Sequence, residues 1–563
     1  MSQPTPPHPT PPATAAPPPF PRVVRDLPPG SLFTFLGDSI TEQNLYTLYF
    51  ELYVRSRWQD KRFRFVNVGW GGHRAADGVG RLQRDVLSRD PGVVTVCFGM
   101  NDGQYRAPDR GVLRGYRREM DQLVRRLRGG SRAAVVVIGP PPVDPDAAPH
   151  LGLVRYNDTL EQLTAAAGEV AAAHGCHFVD LFHPVLRVQR LAKSVRAQFS
   201  FIPDGVHPDA VGHLVIAYHL LDGLGMVTPA AGATVDVAAG QGLHTEGCTV
   251  LDLQSDAHSA RLVLMAEAPP FPLPTEAAGA EGLVPWEEDL GHNHLSVVGL
   301  ARGRYSIYSE ADPLGNYTHT ELLRGVAISV RTAVQARWEA ALSLARERFG
   351  DHLFAWRRFE PSVGGSGTPE IMEAYRALGA AQEEALRALL RPMALPLEIV
   401  PEVALRFARW EVAGPYPLGG QDGFAATFPP ERGEPAPWAE AAAQRPEQGF
   451  LDFAQLFGQV NQAVAFARCQ VYVPHEATLR LRLGSDDGWK VFVNGVPSGG
   501  HDIYRGAAPD QDRTEVTLAA GWNELLFRVN NGAGDWQLYC AGCVTDIHGA
   551  QAERVKVAVR RQG

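Results

Sequence analysis

The segment LFTFLGDSIT, residues 32–41, decides how the N-terminal third of this chain folds. The apolar run Leu32–Leu36 ends on Gly37, and a helical pattern begins a few residues later. A near-continuous apolar run reads as a strand buried on both faces, and hence as part of a parallel sheet. Four further runs repeat the theme: Phe63–Val68, Val93–Phe98, Ala133–Ile138 and His177–Asp180, each bounded by Gly, Pro or Asp. Helical patterns at about 44–58, 75–88, 111–128, 153–174 and 209–224 alternate with them. Strand–helix alternation with right-handed crossovers predicts an α/β domain, a three-layer α/β/α sandwich, over residues 29–228.

Sites in such sheets lie beyond the carboxyl ends of the strands. Three segments there, and a fourth that opens the last helical pattern, carry chemistry. In LGDSIT, Ser39 stands where a nucleophile is presented, although a serine before a helix is as readily a cap. In VNVGWGGHRAADG, residues 66–78, the three glycines of the loop (Gly69, Gly71 and Gly72) permit positive φ and a free N–H, which also describes a plain Gly-rich turn. In VVTVCFGMND, residues 93–102, Asn101 offers an amide donor, while Asn-Asp is equally a turn former. In PDGVHP, residues 203–208, Asp204 and His207 are three apart, a spacing that brings a carboxylate to an imidazole on a turn. Each segment taken singly has a plain structural reading.

Taken in order, GDS, a Gly-rich loop, GxND and DGVHP resemble the SGNH (GDSL) hydrolase family over residues 29–228. The resemblance implies a flavodoxin-like parallel sheet and ester hydrolysis without a required cofactor. It assigns Ser39 as nucleophile, with Asp204 and His207 as its triad partners. It assigns the oxyanion hole to the N–H groups of Ser39 and Gly72 and the side-chain amide of Asn101. His73 departs from the polar Asp or Asn usual in the second block, which leaves the substrate contacts there undefined. The leading expectation is removal of a small acyl group, acetyl, from a carbohydrate or related ester. A lipid esterase or thioesterase of the same mechanism, and a glycan-binding protein with little catalysis, are the alternatives.

Outside that region the chain changes character. Residues 1–28 form a Pro-rich stretch expected to be extended and disordered. Residues 229–400 mix short strands (Arg261–Met265, Leu295–Val298, Tyr305–Tyr308) with a helical hairpin broken at Gly364, Gly365 and Gly367. Residues 401–563 alternate apolar and polar positions between turn signals, Asn494-Gly495 among them, which predicts an antiparallel β-sandwich. This part resembles sandwich modules that accompany polysaccharide-degrading enzymes. By that resemblance Asp486 and Asp487 are weak candidates for calcium, against the reading of an ordinary polar turn. Trp489, Tyr504, Trp522 and Trp536 are candidates for stacking on sugars, against the reading of sandwich core.

Composition narrows the remaining classes. The net charge of −9 argues against nucleic acid as a partner, and the arginines at 114, 117, 118, 125, 126 and 128 read as a solvated helix. No apolar run reaches the ~18 residues of a membrane span. The first 21 residues lack the basic start and apolar core of a signal peptide. A chain beginning at its natural start is therefore expected in the cytoplasm, whereas a trimmed one leaves secretion open. Six cysteines are too few for a disulfide scaffold, and Cys540 and Cys543 have no second pair to complete a zinc site. The sequence leaves the oligomeric state open.

Overall fold

The computed structural model describes residues 17–309, 312–328, 331–359, 366–545, 547 and 554–559. Five parallel strands, β1 (Leu32–Gly37), β2 (Arg64–Asn67), β3 (Val93–Cys97), β4 (Ala134–Ile138) and β5 (His177–Val179), lie in the order β2-β1-β3-β4-β5. The accompanying helices are α1 (Phe20–Asp26), α2 (Ser39–Glu42), α3 (Leu45–Arg57), α4 (Ala75–Asp85), α5 (Arg110–Gly130), α6 (Tyr156–Ala173), α7 (Phe182–Val195) and α8 (Ala210–Gly223). The order 2-1-3-4-5 is flavodoxin-like, and its switch point falls between β1 and β3. Crossovers leave β1 and β3 in opposite directions there, so a crevice opens beyond Gly37 and Cys97, which are in register.

The period of two along each strand divides the core. Phe33 and Phe35 pack with α3 and α8, whereas Leu32 and Leu36 pack on the other side with α4, α5 and α6. Each large side chain so buried contributes roughly 1.5–3 kcal/mol. On α5 the buried residues Val112, Tyr116, Met120, Leu123, Val124 and Leu127 form one stripe, and its seven arginines, Arg110 and the six read from the sequence, face solvent, as expected of a solvated helix. Among the described residues no helix is long and apolar enough to cross a membrane.

One expectation needs correcting. The stretch 1–28 is not extended throughout: Phe20–Asp26 form α1, with a proline in its first turn and Phe20 and Val24, four apart, in the core. A proline in the first turn costs no helical hydrogen bond. Residues 1–16 lie outside the described residues.

The middle region extends the core of the α/β domain. Gly367 is described, while Gly364 and Gly365 lie outside the described residues. Helices Arg331–Phe359 and Pro369–Leu389 form the expected hairpin. Its Val334, Trp338, Ala341, Leu342, Ala345 and Leu386 join the same cluster as α3 and α8. A buried ion cluster adds direction to that packing. Arg55 on α3 bonds Glu51 at 2.7 Å and Glu383 at 2.6 and 2.8 Å, and Arg348 reaches Glu51 at 2.6 Å. Beyond the hairpin, one sheet orders strands Val326–Ile328, Asn293–Val298, Gly232–Asp236 and Gln241–Glu246. A second orders Asp312–Thr318, Arg304–Ser309, Met393–Pro401, Ala260–Ala266 and Cys248–Ser255, and the two share one core.

The C-terminal region is an antiparallel sandwich of two sheets around Trp410, Leu479, Leu481, Phe527 and Trp536. Asn494 and Gly495 turn its hairpin at φ 51° and 81°, the double positive φ such a turn requires. All six cysteines are buried and free.

Candidate active site

The turn after β1 places Ser39 first. Asp38 caps α2 through an Ile40 N–H bond to its Oδ1 at 3.1 Å, so the capping role belongs to Asp38 and not to Ser39. Ser39 is thereby the first helical residue, and its N–H lies outside the helix's own bonding. A side chain at Gly37 would stand 2.1 Å from Thr41 Oγ1, so this turn closes only around glycine.

His207 arrives from the turn before α8. Asp204 Oδ1 accepts the N–H groups of Val206 at 2.9 Å and His207 at 2.6 Å, which folds the turn. Its Oδ2 stands 2.7 Å from His207 Nδ1, and His207 Nε2 stands 2.9 Å from Ser39 Oγ. Partial burial pushes the Asp204 carboxyl up, but the two N–H bonds and the imidazole outweigh it and hold the group below its ordinary range. A carboxylate only accepts, so Nδ1 carries the proton and Nε2 is left to accept from the Ser39 hydroxyl. Asp209 then caps α8 by accepting the Gly212 N–H at 3.0 Å.

The second and third loops meet beside them. Gly72 sits at φ 76°, and its N–H makes no hydrogen bond among the described residues. Asn101, 8% exposed, donates one amide proton to the His73 carbonyl at 3.0 Å and accepts Tyr105 OH at 2.8 Å. These contacts fix which end of the amide carries nitrogen and leave its second N–H available. Gln104 and Tyr105 are held at φ 57° and 56°, positive values that side-chain-bearing residues rarely adopt. His73, which departs from the family pattern, works through its carbonyl and through its ring, stacked on Trp70 at 5.4 Å. Burial and the Arg81 guanidinium hold that imidazole below its ordinary value.

Two carboxyls lie beneath the site. Burial pushes Asp38 up to about 7, against the Ile40 N–H bond, and burial likewise raises Asp102 to about 7 although it accepts the Ala75 N–H. His213, fully buried on α8, accepts the Tyr46 N–H at 3.3 Å and is lowered by burial to about 3, so it is neutral. The sequence singled out none of Glu42, Trp70, Tyr105, Trp356 and Arg357, all of which border these loops. Only their contacts mark them.

The structure brings Ser39, Asp204 and His207 together and leaves Asp486 and Asp487 far along the chain in the sandwich. Asp487 accepts the N–H groups of Arg505 and Gly532, so it brackets a turn. Burial, with Asp487 and Asp535 beside it, raises Asp486 to about 7. Among the described residues no group of three or more His, Cys, Asp or Glu side chains gathers to hold a metal. Of the aromatic candidates, Trp489 and Trp536 are core, Trp522 packs edge-on to Tyr472, and Tyr504 alone is mostly exposed, at 74%.

Comparison with known proteins follows the geometry. Residues 35–215 match the GDSL-like Lipase/Acylhydrolase family. No curated protein matches the chain. BT4096, a gut microbial diltiazem-metabolizing enzyme, is similar with a TM-score of 0.57 and 22% identity, over 67% of this chain and 98% of its own. That span exceeds the catalytic domain, so the shared fold takes in part of the added regions. Axe2, an acetylxylan esterase from Geobacillus stearothermophilus, is similar over 36% of this chain and 96% of its own, with 22% identity and a TM-score of 0.29. Residues 35–215 are thus a domain of the GDSL-like lipase/acylhydrolase family, and the chain carries an ester-hydrolase domain.

Proposed function

We propose that this protein is a serine carboxylester hydrolase that removes small acyl groups, acetyl foremost, from a carbohydrate or related alcohol. The observation that carries the reading is the chain Ser39 Oγ, His207 Nε2, His207 Nδ1, Asp204 Oδ2, with links of 2.9 and 2.7 Å. Ser39 attacks the acyl carbon as His207 takes its proton, because a serine hydroxyl is a weak nucleophile until a base acts on it. His207 returns that proton to the departing alkoxide. Water then releases the acid from Ser39 by the same route. Asp204 stays ionised, holds the tautomer and stabilises the imidazolium. The oxyanion is received by the N–H groups of Ser39 and Gly72 and by the second amide proton of Asn101. Trp70 stacks on His73 beside the Gly71–Gly72 loop and Tyr105 bonds Asn101, so each donor loop carries an aromatic ring, and the preference for a small acyl group is what the acyl-length series tests.

The test is hydrolysis of p-nitrophenyl esters of increasing acyl length by the wild type and Ser39→Ala. The expected result is activity that is greatest on acetate, falls with length and disappears in the variant. Activity that rises with length would replace the small-acyl reading with a lipid or thioester one. Activity that survives in Ser39→Ala would remove Ser39 as the nucleophile.

A further inference from the structure

The loop that carries Gly72 is held in place by residues from two distant parts of the chain. Gly71 donates its N–H to Glu42 Oε2 at 2.7 Å. Glu42 closes α2, the four-residue helix that Ser39 opens. The other oxygen of the same carboxylate, Oε1, takes Arg357 Nη2, near the end of the hairpin's first helix. The Arg357 guanidinium also lies over the Trp70 ring, 4.6 Å from its centre, and Trp356 meets Trp70 edge-on at 5.8 Å. Trp70 in turn stacks on His73, whose carbonyl holds the Asn101 amide. One carboxylate therefore joins the nucleophile's helix, the Gly71–Gly72 loop and a helix some three hundred residues further along. Clearance against the carboxylate is small: a Cβ at Gly71 would stand 2.9 Å from Glu42 Oε2, whereas Ser39 Cβ, at 3.8 Å, would be in ordinary contact.

We propose that Glu42 and Arg357 are positioning residues of the esterase site, a clamp that sets the distance between Ser39 and the Gly72 N–H. The inference rests on the reading of Ser39 as nucleophile and Gly72 as oxyanion donor. The physical argument is geometric. A loop whose glycines are free to turn holds an N–H on a developing oxyanion only if something fixes it, and a misplacement of about 1 Å costs up to about 10²-fold. The hairpin does not need Arg357 to stay docked. Its anchor is the apolar face of Trp338, Ala341, Leu342 and Ala345 together with the Arg348–Glu51 and Arg55–Glu383 pairs. Loss of Arg357 is therefore expected to free the loop and leave the fold in place. Glu42→Gln keeps an acceptor for Gly71 but loses the charge that holds Arg357.

The test uses the full chain as Arg357→Met, Arg357→Lys, Glu42→Gln and the Glu42→Gln/Arg357→Met double variant. Two readouts are taken: turnover of p-nitrophenyl acetate and amide exchange by peptide. Arg357→Met is expected to lower kcat about 10- to 100-fold with KM within about twofold, and the lysine variant to recover most of that loss. The double variant falls no further than the worse single one, because both act through one carboxylate. Exchange in residues 68–74 rises in Arg357→Met, while exchange in 45–57 and 334–348 stays at the wild-type level. Wild-type turnover and protection in Arg357→Met would overturn the clamp, and so would losses that spread through the hairpin and that lysine does not rescue. If the wild type shows no activity dependent on Ser39, the hydrolase reading fails by itself, and the exchange readout still decides whether Arg357 orders the loop.

Discussion

Two turns in the same domain have the same D-x-x-H spacing and nearly the same geometry. In one, Asp204 Oδ1 takes the His207 N–H at 2.6 Å and Oδ2 meets Nδ1 at 2.7 Å. In the other, at the end of β5, Asp180 takes the His183 N–H at 3.1 Å and meets its Nδ1 at 2.6 Å. What differs is the far nitrogen. His207 Nε2 faces the Ser39 hydroxyl, whereas His183 Nε2 faces the Glu161 carboxylate at 3.1 Å. Between two carboxylates both ring nitrogens of His183 donate, so the charged form is favoured. Its pKa is raised chiefly by the Asp180 bond, with partial burial opposing and Glu161 adding. A protonated imidazole has no lone pair to accept a proton. The spacing builds an imidazole–carboxylate pair, and the group facing Nε2 decides whether it can serve as a base. That group is Ser39 only because the switch point puts β1's turn opposite α8.

Exchanging the roles of the two turns should give the largest contrast. His207→Ala is expected to lower kcat about 10⁴- to 10⁶-fold and His183→Ala to leave it within about twofold, both read by steady-state hydrolysis of p-nitrophenyl acetate. Next come the carboxylates. Asp204→Asn lowers kcat about 10³- to 10⁴-fold by allowing the wrong tautomer, and Asp180→Asn does not. Third is the oxyanion side, which the Asp180–His183 turn lacks. Asn101→Ala costs about 10²- to 10³-fold in kcat, ~2.7–4 kcal/mol, with a smaller change in KM.

The smallest effect is on stability, and it belongs to His183. A histidine whose pKa is raised by folding stabilises the native state fully below its unfolded value of about 6.5, and that contribution is lost as pH rises through the folded value. These side chains are 35–58% exposed, so the contribution is below about 1 kcal/mol. Urea unfolding of the wild type and His183→Gln should differ at pH 5.5 and converge by pH 8.5. A difference that does not change with pH would show that His183 is not charged in the native pair.

The comparison also shows what the chain reveals before folding. The five strands and the helices between them were legible because apolar runs and helical periods leave local marks. The first three blocks were legible because each sits at a strand's carboxyl end, where the fold puts its site, and the fourth because Asp204 and His207 stand in the turn that opens α8. The Asp180–His183 turn has the same local mark as Asp204–His207, and only the distant Ser39 and Glu161 tell them apart. Glu42 and Arg357 share no local pattern at all, since their pairing depends on how the hairpin docks on α3. α1 was hidden by the prolines around it, although Phe20 and Val24 carried its period. The sugar-stacking expectation weakened for a physical reason: Trp489 and Trp536 are large enough to fill the sandwich core and are buried in it.

The most direct measurement is covalent labelling with a fluorophosphonate, followed by intact-mass and peptide analysis of the wild type, His183→Ala and His207→Ala. The account predicts one adduct, on Ser39, formed as fast in His183→Ala as in the wild type and nearly abolished in His207→Ala. An adduct on another residue, or equal labelling in His207→Ala, would contradict the assignment of Ser39 and His207 as nucleophile and base.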